Sequence, residues 1–145
     1  MIRHGQLADV SSLATLAQKL WPKHTVDTLE KEIQEAITKP NVAFFLAFTE
    51  NQPIAFAQCQ LRHDYVEGTN SSPVGYLEGI YVRQRYRQQG IAGELLTACQ
   101  TWAKHNYCTE FASDCEIENM ESLKFHLSHG FIEANRLICF SKQLT

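Results

Sequence analysis

The chain has 145 residues, 44% of them hydrophobic and 20% charged, with 13 Lys and Arg against 16 Asp and Glu. This fits one globular domain over residues 1–145, with a sizeable core and little room for a second domain. A formal net charge of −3 provides no global basic field for nucleic acid, and four Pro and seven Gly are too few for a disordered or collagen-like chain.

No window approaches ~18 uninterrupted apolar residues, so no membrane partner is expected. The N-terminal Met1-Ile2-Arg3-His4-Gly5-Gln6 has no apolar signal-peptide stretch. Cys59, Cys99, Cys108, Cys115 and Cys139 are odd in number and form no CxxC pair. That disfavours a disulfide framework or a zinc site. Reduced thiols in a cytoplasmic protein without a metal are expected.

Ile2 and Arg3 open a short first strand. Val10, Leu13, Leu16, Ala17 and Leu20 recur at helical spacing and predict an amphipathic helix over Asp9 to Leu20, ended by Trp21-Pro22. A second helix is predicted from Asp27 to Ile37. Asp27 and Glu30 have capping-box spacing, and Leu29, Ile33, Ala36 and Ile37 supply the apolar face. The period then changes. Val42 to Thr49 reads as a buried strand, Glu50-Asn51-Gln52-Pro53 as a turn and Ile54 to Leu61 as its hairpin partner. Glu67 to Pro73 is a loop, and Val74 to Val82 a third long strand. A helix over Gly90 to Ala103, a short strand over Glu110 to Ser113 and a helix over Asn119 to His129 follow. Met120, Leu123 and Leu127 are expected to face inward, with Gly130 as the stop. Phe131 to Leu144 reads as a final strand or bent pair. The order predicts a mixed α/β (α+β) domain with an antiparallel half and a crossover half.

The segment Arg83-Gln84-Arg85-Tyr86-Arg87-Gln88-Gln89-Gly90-Ile91-Ala92-Gly93 lies between a buried strand and a helix start. Gly90 and Gly93 carry no side chain to block a close ligand. Helix N-terminal N–H groups favour an anion, and three arginines add charge in an otherwise acidic chain. The functional reading is a pyrophosphate cradle; the plain one is a surface turn with solvated arginines. The pattern is neither GxxxxGK(S/T) nor GxGxxG, which disfavours a P-loop hydrolase or a dinucleotide fold.

Arg87-Gln88-Gln89-Gly90-Ile91-Ala92 resembles the pyrophosphate-wrapping motif of the GNAT N-acetyltransferases, R/Q-x-x-G-x-G/A. Asn119-Met120-Glu121-Ser122, with His126-Leu127-Ser128-His129-Gly130-Phe131, resembles their second cofactor segment. The element order matches that family across essentially the whole chain. A narrower resemblance is to the aminoglycoside 6′-N-acetyltransferases. It rests on Lys19-Leu20-Trp21-Pro22, Arg62-His63-Asp64-Tyr65-Val66-Glu67-Gly68-Thr69, Ser72-Pro73-Val74-Gly75, Leu77-Glu78-Gly79-Ile80-Tyr81-Val82, Thr109-Glu110-Phe111-Ala112-Ser113-Asp114 and Gly130-Phe131-Ile132-Glu133.

The resemblance implies a GNAT acetyltransferase fold. Its mixed central sheet has an antiparallel N-terminal half and a splayed acetyl-CoA cleft, flanked by about four helices. It implies acetyl-CoA as acetyl donor and no metal. Ile80, Tyr81 and Val82 would line the acetyl-pantetheine arm beside a strand bulge, and the Val82 N–H would polarise the thioester carbonyl. Arg87, Gln88, Gln89, Gly90, Ile91, Ala92 and Gly93 would hold the pyrophosphate, with Asn119 and Ser122 contacting the cofactor.

Glu78 is a carboxylate in a buried strand, costly unless paired or functional. It is expected to hydrogen-bond the attacking ammonium and pass its proton to water; the plain reading is a salt bridge with an arginine. Asp114 would bind substrate amines, and Asp64, Glu67, Glu116 and Glu118 would extend a negative rim toward a polycation. Trp21 and Tyr65 offer flat faces to a sugar ring. Asn135 falls where some relatives carry an acidic substrate contact. His126 stands where many acetyltransferases have tyrosine, aimed at the leaving sulfur; the alternative is a packed histidine. Cys115 is read as a bystander.

The implied function is acetyl transfer to the 6′-amine of aminoglycosides by direct attack, conferring resistance, in a cytoplasmic homodimer. An acetyltransferase for polyamines or protein amino groups and a non-catalytic CoA-binding sensor are the alternatives.

Overall fold

The computed structural model describes residues 1–145. Strand β1 (Ile2–His4) precedes helices α1 (Val10–Leu20) and α2 (Val26–Ala36). A meander follows: β2 (Val42–Thr49), β3 (Gln52–Arg62) and β4 (Val74–Val82). Then come α3 (Ile91–His105), β5 (Phe111–Ser113) and α4 (Met120–Ser128). The sheet runs in the order β1-β2-β3-β4-β5. The first four strands pair antiparallel, and β5 joins β4 in parallel. This is the mixed sheet that the element order predicts. No helix is long and apolar enough to cross a membrane.

The sheet is buried on both faces, which explains the near-continuous apolar run of β2. Ala43, Phe45 and Ala47 pack with Ala55, Ala57 and Cys59 of β3 under Leu95, Leu96 and Cys99 of α3. On the other face, Phe44, Leu46 and Phe56 pack under Leu13, Leu16 and Ala17 of α1 and Leu29 and Ile33 of α2. Successive residues of one strand thus feed two cores.

Four local expectations need correction. The β2–β3 turn is only Glu50-Asn51, with φ of 50° and 67° at the two positions. This is the double positive-φ geometry of a two-residue hairpin, so Gln52 and Pro53 belong to the strand. Helix α2 is capped by Thr25, whose hydroxyl accepts from the Thr28 N–H at 3.1 Å, rather than by an Asp27–Glu30 box. In α4, Met120 and Leu127 are exposed; Phe125 is the residue that packs against the α3-side core. After Gly130, Phe131 packs on the core, and residues 132–145 are exposed and form no strand with their own chain.

One irregularity in β4 organises the site. Gln58 pairs with Gly79, and Cys59 pairs with Leu77. Glu78 is the unpaired extra residue of a β-bulge. Gly75 and Leu77 lie on the α3 side before it, and Ile80 and Val82 after it. Gly79 and Tyr81 turn to the α1 side. The odd step from Leu77 to Ile80 is absorbed at Glu78.

Candidate active site

Strands β4 and β5 are paired only over Gly75–Leu77 and Phe111–Ser113. From Glu78 onward, β4 has a strand neighbour on one side alone. The Arg83 N–H donates to the Ile54 carbonyl of β3 at 2.9 Å. Backbone groups alternate in an extended strand, so Val82 directs its N–H and C=O away from β3, into the opening. The Val82 carbonyl accepts from Arg87 Nε there at 2.8 Å. Of the predicted pantetheine-arm residues, Ile80 packs toward the α3 core and Tyr81 toward α1. Ile80, like Val82, turns its backbone N–H and C=O toward the opening, while those of Tyr81 face β3.

The predicted cradle caps the same opening. Helix α3 begins at Ile91, and its N-cap Gly90 has φ of 81°. A Cβ at Gly90 would meet nothing within 4 Å, so its left-handed backbone, not crowding, calls for glycine. Gln88 is also left-handed, at φ 61°. Ile91 and Ala92 anchor the turn in the core, while Gln89 is exposed. Beside Gly93 the space is taken by His129 of the α4 C-cap: a Cβ at 93 would lie 2.9 Å from His129 Nε2. Arg87 also lies over the Tyr81 ring at 5.5 Å and pairs with Glu121 at 3.7 Å. These features fit a pantetheine arm along β4 that leads to a pyrophosphate at the α3 N-terminus.

At the bulge, Glu78 is held by Arg62, the last residue of β3. Arg62 Nε donates to Oε2 at 3.1 Å, and Nη2 donates to Oε1 at 3.0 Å and to Oε2 at 2.9 Å. The Arg62 guanidinium lies 3.5 Å from the Tyr76 ring centroid. The Tyr76 hydroxyl donates to Asp114. Burial, followed by the Asp114 carboxylate, pushes the Tyr76 hydroxyl well above its ordinary pKa, so it stays a neutral donor. The arginine partner considered for Glu78 is therefore real. It does not remove Glu78 from the cleft, whose side chain keeps 20% exposure.

Glu78 shares a cavity of about 330 Å³ with Trp21, His24, Glu32, Phe44 and Gln58. Trp21 follows α1, makes an edge contact with Phe56 at 6.2 Å and lies over Gly79. The bulge thus brings Trp21 and Glu78 together. Tyr65 sits apart in the β3–β4 loop, 75% exposed. Asn135 lies in the exposed terminal segment, and its Oδ1 accepts from the Arg136 N–H at 2.7 Å. Ala134 abuts Gly68 of the Tyr65 loop, so the chain carries Asn135 to that loop. Asp64, Glu67, Glu116 and Glu118 are exposed, as is Cys115.

His126 bridges two elements. Its Nδ1 lies 2.7 Å from the Ser122 carbonyl, which only accepts, so Nδ1 carries a proton. Its Nε2 lies 2.8 Å from Ser113 Oγ, and that hydroxyl is 3.4 Å from the Leu77 carbonyl. The ring packs edge-on against Phe125 and Phe131. Asn119 caps α4 by accepting from the Ser122 N–H at 3.0 Å.

The model of the Acetyltransferase (GNAT) family matches residues 9–131. The chain belongs to this family. An aminoglycoside N(6′)-acetyltransferase type 1 of Salmonella typhimurium is 41% identical over 128 residues, 88% of each chain. One of Acinetobacter baumannii is 40% identical over 144 residues, covering 99% of this chain and 96% of its own. The solved structure of AAC(6′)-Iy in complex with the bisubstrate analogue CoA-S-monomethyl-acetylneamine has a TM-score of 0.94 and 38% identity, with 99% of this chain and 98% of that one covered. Within the GNAT family the chain therefore groups with the aminoglycoside 6′-N-acetyltransferases.

Several residues of this GNAT site escape a reading of the sequence. Arg62 and Tyr76 stand in ordinary strand positions, and nothing in their spacing announces a contact with Glu78 or Asp114. Glu32 and Gln58 reach the cavity from α2 and β3, which only the packing of α2 on the sheet brings near. Ser113 was legible only as the end of a strand.

Proposed function

We propose that the chain catalyses acetyl transfer from acetyl-CoA to the 6′-amine of aminoglycosides, by direct attack within a ternary complex, and so confers resistance. The observation that carries this reading is the bulge at Glu78. It sets a carboxylate and the Trp21 indole in one cavity on the α1–α2 face of the sheet, at the residue where β4 ceases to pair with β5. A polyamino sugar meets there an aromatic face and two carboxylates, Glu78 and Glu32. Asp114, held by Tyr76, supplies a third acid near the cleft.

Acetyl-CoA, as cosubstrate, supplies an activated acetyl carbon and a sulfur leaving group. Gly90 and the free N–H groups of the first α3 turn bind its pyrophosphate, with Arg87, Gln88, Gln89, Ile91, Ala92 and Gly93 shaping the turn. The backbone of Ile80, Tyr81 and Val82 aligns the pantetheine arm, with Asn119 and Ser122 facing it from α4. The Val82 N–H points at the developing oxyanion. Glu78 accepts a hydrogen bond from the amine and takes its proton on to water. His126 Nε2 and Ser113 Oγ hold a proton for the departing sulfur. Most of the acceleration comes from alignment, because the amine is already a good nucleophile once neutral.

Trp21 stacks on the sugar. Tyr65 and Asn135 contact the outer rings, and an amide at 135 contributes no charge to a cationic substrate.

The working form is a homodimer. In the isolated chain Ile138, Phe140 and Leu144 are 81%, 90% and 87% exposed, an apolar arm that a monomer leaves wet. Strand β5 ends the sheet order, and a second copy offers a surface for residues 131–145. The five cysteines are all free thiols, which suits the cytoplasm.

The test is thiol release from acetyl-CoA with two aminoglycosides that differ only in a 6′-amine or a 6′-hydroxyl. Turnover with the amine alone is expected. Turnover with neither, despite cofactor binding, contradicts the reading.

A further inference from the structure

Arg62 has no part in the chemistry just described, yet it touches Glu78 more closely than any other side chain. Three hydrogen bonds of 2.9–3.1 Å reach both carboxylate oxygens. The same guanidinium rests on Tyr76, 3.5 Å from the ring centroid, and Tyr76 donates to Asp114. One cation thus ties two of the three acids of the cleft into a single chain, Glu78–Arg62–Tyr76–Asp114.

We propose that Arg62 is a positioning residue that aims the Glu78 carboxylate and offsets its charge, so that the substrate amine sits beside Glu78 in its neutral, nucleophilic form. The proposal rests on the aminoglycoside reading above. A bare carboxylate in this cavity would hold the incoming ammonium tightly and keep its proton on, since an adjacent opposite charge favours the charged form. Binding of that kind stabilises the ground state and adds nothing to the rate at saturation.

A carboxylate that shares its charge with a guanidinium still accepts from the amine. It has about four lone-pair sites, and the three hydrogen bonds from Arg62 leave room for the amine. One N–H bond of the incoming ammonium breaks toward Glu78, that proton passes to water, and the electron pair left on the neutral nitrogen makes the attack. The other titratable groups around Glu78 are Cys59 on β3, Tyr76 on β4, Asp114 after β5, and His24 and Glu32, which share its cavity from α2 and the segment before it. Arg62 alone among them is a guanidinium, charged at every working pH.

The test compares wild type, Arg62→Gln and Arg62→Lys in steady-state turnover of a 6′-amino aminoglycoside across neutral and alkaline pH, with acetyl-CoA affinity as the check on folding. In Arg62→Gln the hydrogen-bonding side chain stays and the charge goes. Its kcat near neutrality is expected to fall about 10-fold while the aminoglycoside KM stays level or falls, and the rising limb of kcat against pH moves up by about one unit. Activity then recovers at alkaline pH. Arg62→Lys keeps the charge and is expected to keep the limb near the wild-type position. If Arg62→Gln fails to bind acetyl-CoA, Arg62→Met carries the same expectation. An unmoved limb, or a loss equal at every pH, overturns the proposal while wild-type turnover leaves the functional reading standing. A wild-type chain that turns over no aminoglycoside overturns both.

Discussion

The Trp21 indole fills the space that a side chain at position 79 would need: a Cβ built on Gly79 lies 2.7 Å from Trp21 Cζ2 and 2.9 Å from Leu20 Cδ2. The contact explains why a glycine follows Glu78. The bulge turns two successive residues, Glu78 and Gly79, toward α1. The first reaches the cavity, and the second must vanish so that the indole can lie over the strand. Gly79→Ala is therefore expected to push Trp21 out of place, at about 1–3 kcal/mol in stability. The aminoglycoside KM should rise more than the acetyl-CoA KM. Thermal unfolding with two-substrate kinetics checks this, and equal effects on both substrates would place Trp21 outside the substrate site.

His126→Ala tests the proton assigned to the leaving sulfur. Loss of general acid help should lower kcat by about 100-fold at most, with little change in acetyl-CoA affinity. A thioester with a better leaving thiol should narrow the deficit, because such a sulfur needs no proton. Near-normal turnover of His126→Ala would assign the residue to packing between Phe125 and Phe131 alone.

The exposed arm carries the prediction about assembly. A chain ending after Phe131, which is the last residue packed against the core, is expected to sediment as a monomer, while the full chain sediments as a dimer. A full chain that remains monomeric at high concentration contradicts the proposed homodimer.

Stability in acid is expected to depend on Asp9. Its carboxylate accepts from Arg3 Nη1 at 2.7 Å and Nη2 at 2.8 Å, and from the Gln6 N–H at 2.8 Å. The Arg3 hydrogen bonds, helped by Gln6, hold the Asp9 carboxyl below the ordinary carboxylate range. A depressed folded value stabilises the fold above the unfolded value, about 3.9. That contribution disappears as pH falls through the folded value. Asp9→Asn should therefore melt lower than wild type at neutral pH and converge with it on strong acidification. A gap that survives acidification would assign the effect to helix capping instead of charge.

Two strands of the meander were legible in the sequence because apolar period and turn chemistry agree there: Val42 to Thr49 and Val74 to Val82 appear with the predicted bounds. Glu78 was legible as a carboxylate in an apolar strand. The bulge was an expectation from family resemblance; its place was not readable, since Ile80, Tyr81 and Val82 are all apolar and hide the change of face. The α4 orientation failed for a related reason. Met120 and Leu127 are as apolar as Phe125, and only the packed sheet decides which of them turns inward. The terminal segment has strand composition but no partner within its own chain. Sequence pattern reports what a segment can pair as, not whether this chain supplies the pair.

The central claim is that Glu78, set at the bulge, handles the proton of the attacking amine without holding the cofactor. The direct measurement is Glu78→Gln, with acetyl-CoA affinity by calorimetry beside turnover of a 6′-amino aminoglycoside. The account predicts a fall in kcat of roughly 100-fold with acetyl-CoA affinity nearly unchanged. Full turnover, or parallel loss of cofactor binding and turnover, would contradict it.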